Sequence, residues 1–125
     1  LRELSLKRIA VITPYQDSVN EQVRDLLIAR GFDVPYFGSF KQEDDNKAAR
    51  ISPASINAAV LEVGASDDID GVFLSCTNLR LADDVKMLED KLQKPVISSN
   101  LAMAWHCLRL SNVGDKIPAY GRLFT

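Results

Sequence analysis

The six residues RIAVIT, Arg8 to Thr13, make a nearly unbroken apolar run that Pro14 closes. A run without an alternating polar face marks a strand covered on both sides. A different rhythm follows. Ser18 and Glu21 have the spacing of a capping box, and Val19, Val23, Leu26 and Leu27 share one helical face. Arg30 and Gly31 then supply a basic last turn and a glycine stop. The alternation recurs along the chain. FDVPYFGSF (32–40) is a second strand, at an edge or broken at Pro35, which has no N–H to donate. Ser52 and Pro53 open a helix carrying Ile56, Ala59, Val60 and Val63 and ending at Gly64. VFLS (72–75) is a third strand, and Leu81, Val85, Leu88 and Leu92 mark the next helix. KPVISS is a fourth strand and Leu101 to Leu110 a fourth helix. The polar segment from Lys41 to Arg50 is expected as a loop, and the tail GDKIPAYGRLFT as an irregular arm.

Strands and helices alternating in steps of about 30 residues build βαβ units and a parallel sheet. Right-handed crossovers place helices on both faces of it. The expected class is therefore α/β: a three-layer αβα sandwich of flavodoxin-like type, with residues 1–125 as one domain.

Charge and composition remove several functions. A net charge of −2, with both signs interspersed, offers no basic face for nucleic acid or an anionic membrane. No apolar stretch reaches the roughly 18 residues of a membrane span. Two cysteines and one histidine fall short of a protein metal cage, so neither a metal nor another cofactor is expected. So few cysteines suit a reducing cytoplasm. The chain opens at Leu1 rather than methionine, as expected of part of a longer polypeptide.

In an open parallel sheet, ligands gather outside the carboxyl ends of the strands. TPYQDS, the 41–50 segment, SCTNLR and SSNLA should converge there. Cys76 sits at that edge just ahead of a helix, where backbone N–H groups favour a thiolate or an anion. Free cysteine is also among the most buried residue types, so position alone leaves both readings open. Cys107, within LAMAWHCLRL, is expected to pack in the core, and His106 would have to reach another element's edge to pair with a thiol. A phosphatase loop needs arginine six positions after its cysteine, where this chain has Ala82. No glycine spacing matches the dinucleotide or P-loop patterns. The end of strand three carries cysteine, not the aspartate of a phosphoacceptor. What remains is a thiol with small hydroxyls and amides, a set suited to a small carboxylate. Tyr15, just after strand one, can reach the same crevice. Asn46 by itself is an ordinary turn residue.

KRIAVITPY, DDNKAARIS, FLSCTNLR, KPVISSNLAMAWHCLRL and the terminal GRLF, in this order, resemble the aspartate/glutamate racemase superfamily. The resemblance is nearest to its maleate cis–trans isomerase branch and the related ectoine-utilisation proteins, with arylmalonate decarboxylases further off. It implies a two-lobed enzyme about twice this length, with one cysteine contributed by each flavodoxin-like lobe. This chain then corresponds to the second lobe, with Cys76 as its catalytic thiol and an N-terminal lobe as the missing partner. By the same comparison Tyr15 and Asn46 contact the substrate, and Thr77 and Asn78 surround its carboxylate. A homo-oligomer is compatible with this. Beside the cofactor-independent cysteine isomerase or racemase this implies stand three alternatives: an arylmalonate decarboxylase-like enzyme, a non-catalytic binder of small carboxylates, and a flavodoxin-like electron carrier, for which the loops lack a flavin-stacking aromatic pair.

Overall fold

Strand β1 (Arg8–Thr13) is the middle of the fold, and all but its first residue are buried. A computed structural model describing residues 1–125 places β2 (Asp33–Ser39) on one side of it and β3 (Gly71–Leu74) on the other. Beyond β3 lies β4 (Val96–Ser98), giving the order β2-β1-β3-β4 with every pairing parallel. The α/β reading of the sequence holds. β2 is the edge strand, and its register against β1 shifts between Arg8 and Ala10, opposite Asp33 and Tyr36. Pro35 lies in that shift, so the edge and the break expected at this proline both occur.

Five helices complete the chain: α1 (Asp17–Ala29), α2 (Asp45–Ala49), α3 (Pro53–Gly64), α4 (Val85–Leu92) and α5 (Ser99–Leu110). Right-handed crossovers put α1 on one face and α3 and α4 on the other. The helices differ in depth. Ile56, Val60 and Gly64 of α3 and Val85, Leu88 and Glu89 of α4 are buried, whereas α1 buries only Asn20 and α5 only Leu101. Gly64 allows a close approach of α3 to α4 and β3. A Cβ there would stand 2.6 Å from Leu92 Cδ1 and 3.1 Å from Val72 Cγ2. Its φ is not in the left-handed region, so this glycine serves packing and not a left-handed turn.

Several local signals survive and others do not. α1 ends in a Schellman turn: Gly31, at φ 88°, donates to Ile28 O at 2.9 Å, and Phe32 donates to Leu27 O at 3.1 Å. Ser52 caps α3 by accepting from Ser55 N, with Pro53 in the first turn. The capping box at Ser18 and Glu21 does not form, because α1 begins at Asp17 behind Gln16, whose side chain makes no cap. The 41–50 segment is not a plain loop. Asp44 takes the N–H groups of Asn46 and Lys47 and so starts the short helix α2. Leu81 is buried in the turn before α4, not inside the helix. The tail forms two 3-10 turns, Pro118–Tyr120 and Arg122–Phe124, and buries Leu123 and Phe124. No helix is long and apolar enough to cross a membrane.

Candidate active site

The carboxyl ends of the strands bring Tyr15, Cys76 and Asn78 together. Cys76 follows Ser75, whose N–H extends the ladder to Ile12 O at 2.8 Å beyond the formal end of β3. Cys76 itself is buried and has a φ of 136°, a region L-residues rarely occupy. Strained backbone of this kind persists only where surrounding contacts hold it. Three hydrogen bonds do so here. Cys76 N–H donates to Ser99 Oγ at 3.2 Å, Asn100 Nδ2 donates to Thr77 O at 2.9 Å, and Asn78 N–H donates to Cys76 Sγ at 3.4 Å. No acceptor within the chain takes the N–H of Thr77, whose residue is exposed.

Tyr15 is held through its backbone. Its carbonyl accepts from Asn20 Nδ2 at 2.9 Å and Ser39 Oγ at 2.6 Å, and its N–H donates to Thr13 Oγ1 at 3.2 Å. Thr13 Oγ1 in turn donates to Asn20 Oδ1, completing a network in which Thr13 and Asn20 are buried. The phenol lies beside the Cys76 thiol and the Ser75 hydroxyl. Burial pushes the phenol pKa above its ordinary value, and the Cys76 thiol pushes it further. The Ser75 hydroxyl opposes the shift, and the Asp45 carboxylate adds to it. The phenol is consequently a hydrogen-bond donor at neutral pH.

Asn78 reaches across the crevice, its Nδ2 donating to Asp45 O at 3.4 Å. That bond ties the segment after β3 to the first turn of α2, where Asn46 is exposed and donates its backbone N–H to Asp44 Oδ1 at 2.7 Å. Asn46 therefore stands at the rim on a helix, where the sequence predicts a loop. A cleft of about 530 Å³ lies on the far side of the Tyr15 network, lined by Asp17, Asn20, Arg24, Phe37, Ser39 and Lys41 among others, and Cys76 does not line it.

One expectation about α5 turns out differently. Cys107 is exposed, not packed in the core. The contact face of α5 runs through Leu101, Trp105 and Leu108, and Cys107 is turned about 200° from Trp105 at the helical angle per residue. His106 is likewise exposed and stacks on Trp105, with ring centroids 6.4 Å apart. Ser75, Asp45, Ser99 and Asn100 belong to the site's immediate surroundings without having been singled out as site residues. The signal for the last two lay in SSNLA, one of the segments expected at this edge.

A family model described as arylmalonate decarboxylase matches residues 1–124. The arylmalonate decarboxylase of Bordetella bronchiseptica is 35% identical over 99% of this chain and 52% of its own length. The crystal structure of a maleate isomerase variant from Pseudomonas putida S16 with maleate superimposes with a TM-score of 0.92, at 27% identity, over 98% of this chain and 49% of that one. A Nocardia farcinica maleate cis–trans isomerase variant with a covalently bound succinylcysteine intermediate gives 0.87 at 26%, over 99% and 51%. The chain spans about half the length of the relatives it matches.

Proposed function

The chain belongs to the arylmalonate decarboxylase family, and from that premise we propose that it is one lobe of a cysteine enzyme that isomerises a small dicarboxylate in the manner of a maleate isomerase. Residues 1–125 act as the C-terminal lobe, and a preceding lobe closes the crevice over Cys76. Cys76 is the catalytic thiol. The Thr77 N–H, the Asn78 amide and Asn46 at the rim hold the substrate carboxylate, and the Tyr15 phenol donates a hydrogen bond to it.

The reaction follows from these roles. One thiolate, that of Cys76 or of the preceding lobe's cysteine, adds to one alkene carbon, forming a C–S bond, and the alkene electron pair moves onto the neighbouring carbon and its carboxylate. Donors around that carboxylate stabilise the charge as it develops. The former double bond, now single, rotates. The C–S bond then breaks, its electron pair returns to the thiolate, and the trans alkene re-forms.

The setting of Cys76 carries this reading: a buried thiol at the carboxyl edge of β3, beside the Tyr15 phenol, with a backbone N–H 3.4 Å from sulfur. The succinylcysteine seen in a maleate isomerase relative shows that a cysteine of such an enzyme bonds covalently to carbon; it does not say which lobe supplies it. Proton NMR of the full-length protein with maleate tests the reading. Fumarate is expected, and none with Cys76→Ala. Turnover by residues 1–125 alone would overturn the two-lobe account.

A second reading has its own support in the 35% identity to an arylmalonate decarboxylase, against 24 to 28% for the maleate isomerases. There the bond from the α-carbon to one carboxylate breaks, CO2 leaves, and the Cys76 thiol protonates the remaining enediolate. Loss of an arylmalonate with release of CO2, and no conversion of maleate, would select it.

A further inference from the structure

The residues that fix Cys76 come from the junction of the neighbouring strand β4 with α5. Three consecutive polar residues span that junction, Ser98 closing β4 and Ser99 and Asn100 opening α5, and each side chain has a separate partner. Ser98 Oγ caps α5 by accepting from Leu101 N at 3.2 Å, Ser99 Oγ takes the Cys76 N–H at 3.2 Å, and Asn100 Nδ2 holds the Thr77 carbonyl at 2.9 Å. The Thr77 carbonyl and the Asn78 N–H belong to one trans peptide, so they point in opposite directions. Drawing that carbonyl toward Asn100 aims the N–H at the sulfur of Cys76, and the 3.4 Å contact is the outcome.

We propose that Ser99 and Asn100, the first two residues of α5, are positioning residues for the Cys76 thiol. Ser99 fixes the peptide entering Cys76. Asn100 acts through the Thr77–Asn78 peptide, holding an N–H donor against the sulfur where negative charge forms in the reaction. Together they keep Cys76 at its φ of 136° and leave the Thr77 N–H without an internal acceptor. The proposal rests on the reading of Cys76 as the working thiol. The titratable groups facing that thiol, Tyr15 from the β1 loop and Asp45 of α2 behind it, touch neither residue's side chain.

Alkylation of Cys76 by iodoacetamide in the full-length protein, followed peptide by peptide by mass spectrometry, tests it. Asn100→Ala should slow alkylation at neutral pH about tenfold, the scale of one lost hydrogen bond to a charged group. The rate should return in alkali, where thiols are ionised whatever their neighbours. Ser99→Ala should slow it about threefold, and Ser99→Thr, which keeps the hydroxyl, should restore it. Asn100 is only half-buried in a first helical turn, where alanine is tolerated. An Asn100→Ala rate equal to the parent's at neutral pH overturns the proposal. So does a slowed rate that persists in alkali, since that would report access and not charge. Normal turnover by Cys76→Ala would instead refute the catalytic reading and leave these alkylation rates as they are.

Discussion

The two edges of the sheet treat backbone N–H groups in opposite ways. At the amino edge they end on the chain's own carboxylates. Asp70 Oδ2 accepts from Lys7 and Arg8 at 2.8 Å each, and Glu89 accepts from Val96 at 2.9 Å and from Arg122 in the tail at 2.7 Å. Arg8 adds ion pairs with Asp33 and Asp68. At the carboxyl edge the N–H groups of Cys76 and Asn78 end on a hydroxyl and a thiol, and that of Thr77 has no internal acceptor. The amino edge, which supplies its own anions, is closed. The carboxyl edge has one such carboxylate, Asp44 at the cap of α2, and none at residues 76–78; it is open there, where, on the proposed reading, a carboxylate arrives from outside.

Mutations can break this contrast, and the largest effect belongs to the open edge. Cys76→Ala should lower kcat of the full-length protein by about 10²- to 10⁴-fold, measured per folded molecule. Unchanged turnover would erase the distinction between the edges. Tyr15→Phe should cost about 10²-fold in kcat, as for one donor lost at a developing charge. Because the Tyr15 pKa is raised, its protonated form is favoured by the fold. That contribution is fully present below 10.0, the ordinary phenol value, and is lost as pH rises through the folded value. A pH profile of turnover should accordingly hold its Tyr15-dependent part through neutrality.

The closed edge should answer in stability alone. Glu89→Gln leaves one of two buried N–H groups without its acceptor and should cost about 2 kcal/mol in urea unfolding, with turnover per folded molecule unchanged. Burial raises the Glu89 pKa, opposed by its bonds from Val96 and Arg122. Stability from this carboxyl therefore declines as pH climbs from 4.5 through the folded value, and the glutamine variant should lack that slope. Asp70→Asn should show the smallest change, about 1 kcal/mol at neutral pH. The N–H bonds from Arg8 and Lys7 lower the Asp70 pKa, so its contribution is present above 3.8 and lost as pH falls. Parent and variant unfolding curves should converge in acid.

The open edge was easier to find in the sequence than to describe. Apolar runs located β1 and β3, shorter apolar stretches bounded by turn residues located β2 and β4, and a terminal thiol at the third was visible as residues. The left-handed φ of Cys76 was not, because Ser99 and Asn100 impose it from the end of the neighbouring strand and no local pattern encodes a tertiary hydrogen bond. Helix α2 escaped for a different reason. Five residues are too few to show a period, and its start rests on the single cap at Asp44. Cys107 misled because an apolar neighbourhood in sequence implies burial only if the helix is covered all round, and α5 is covered on one side. Glu89 gave no signal at all, since a charged residue in an amphipathic helix ordinarily faces water.

Pro35 has a consequence for what the sheet can join. Edge strands invite a further strand from another molecule unless something blunts them. Here β2 has no N–H at Pro35 and carries a register shift beside it, so an added strand would lose bonds in the middle of its ladder. The sheet is thus closed to extension along β2, and a folding chain or a crowded neighbour finds no template there for a fibre.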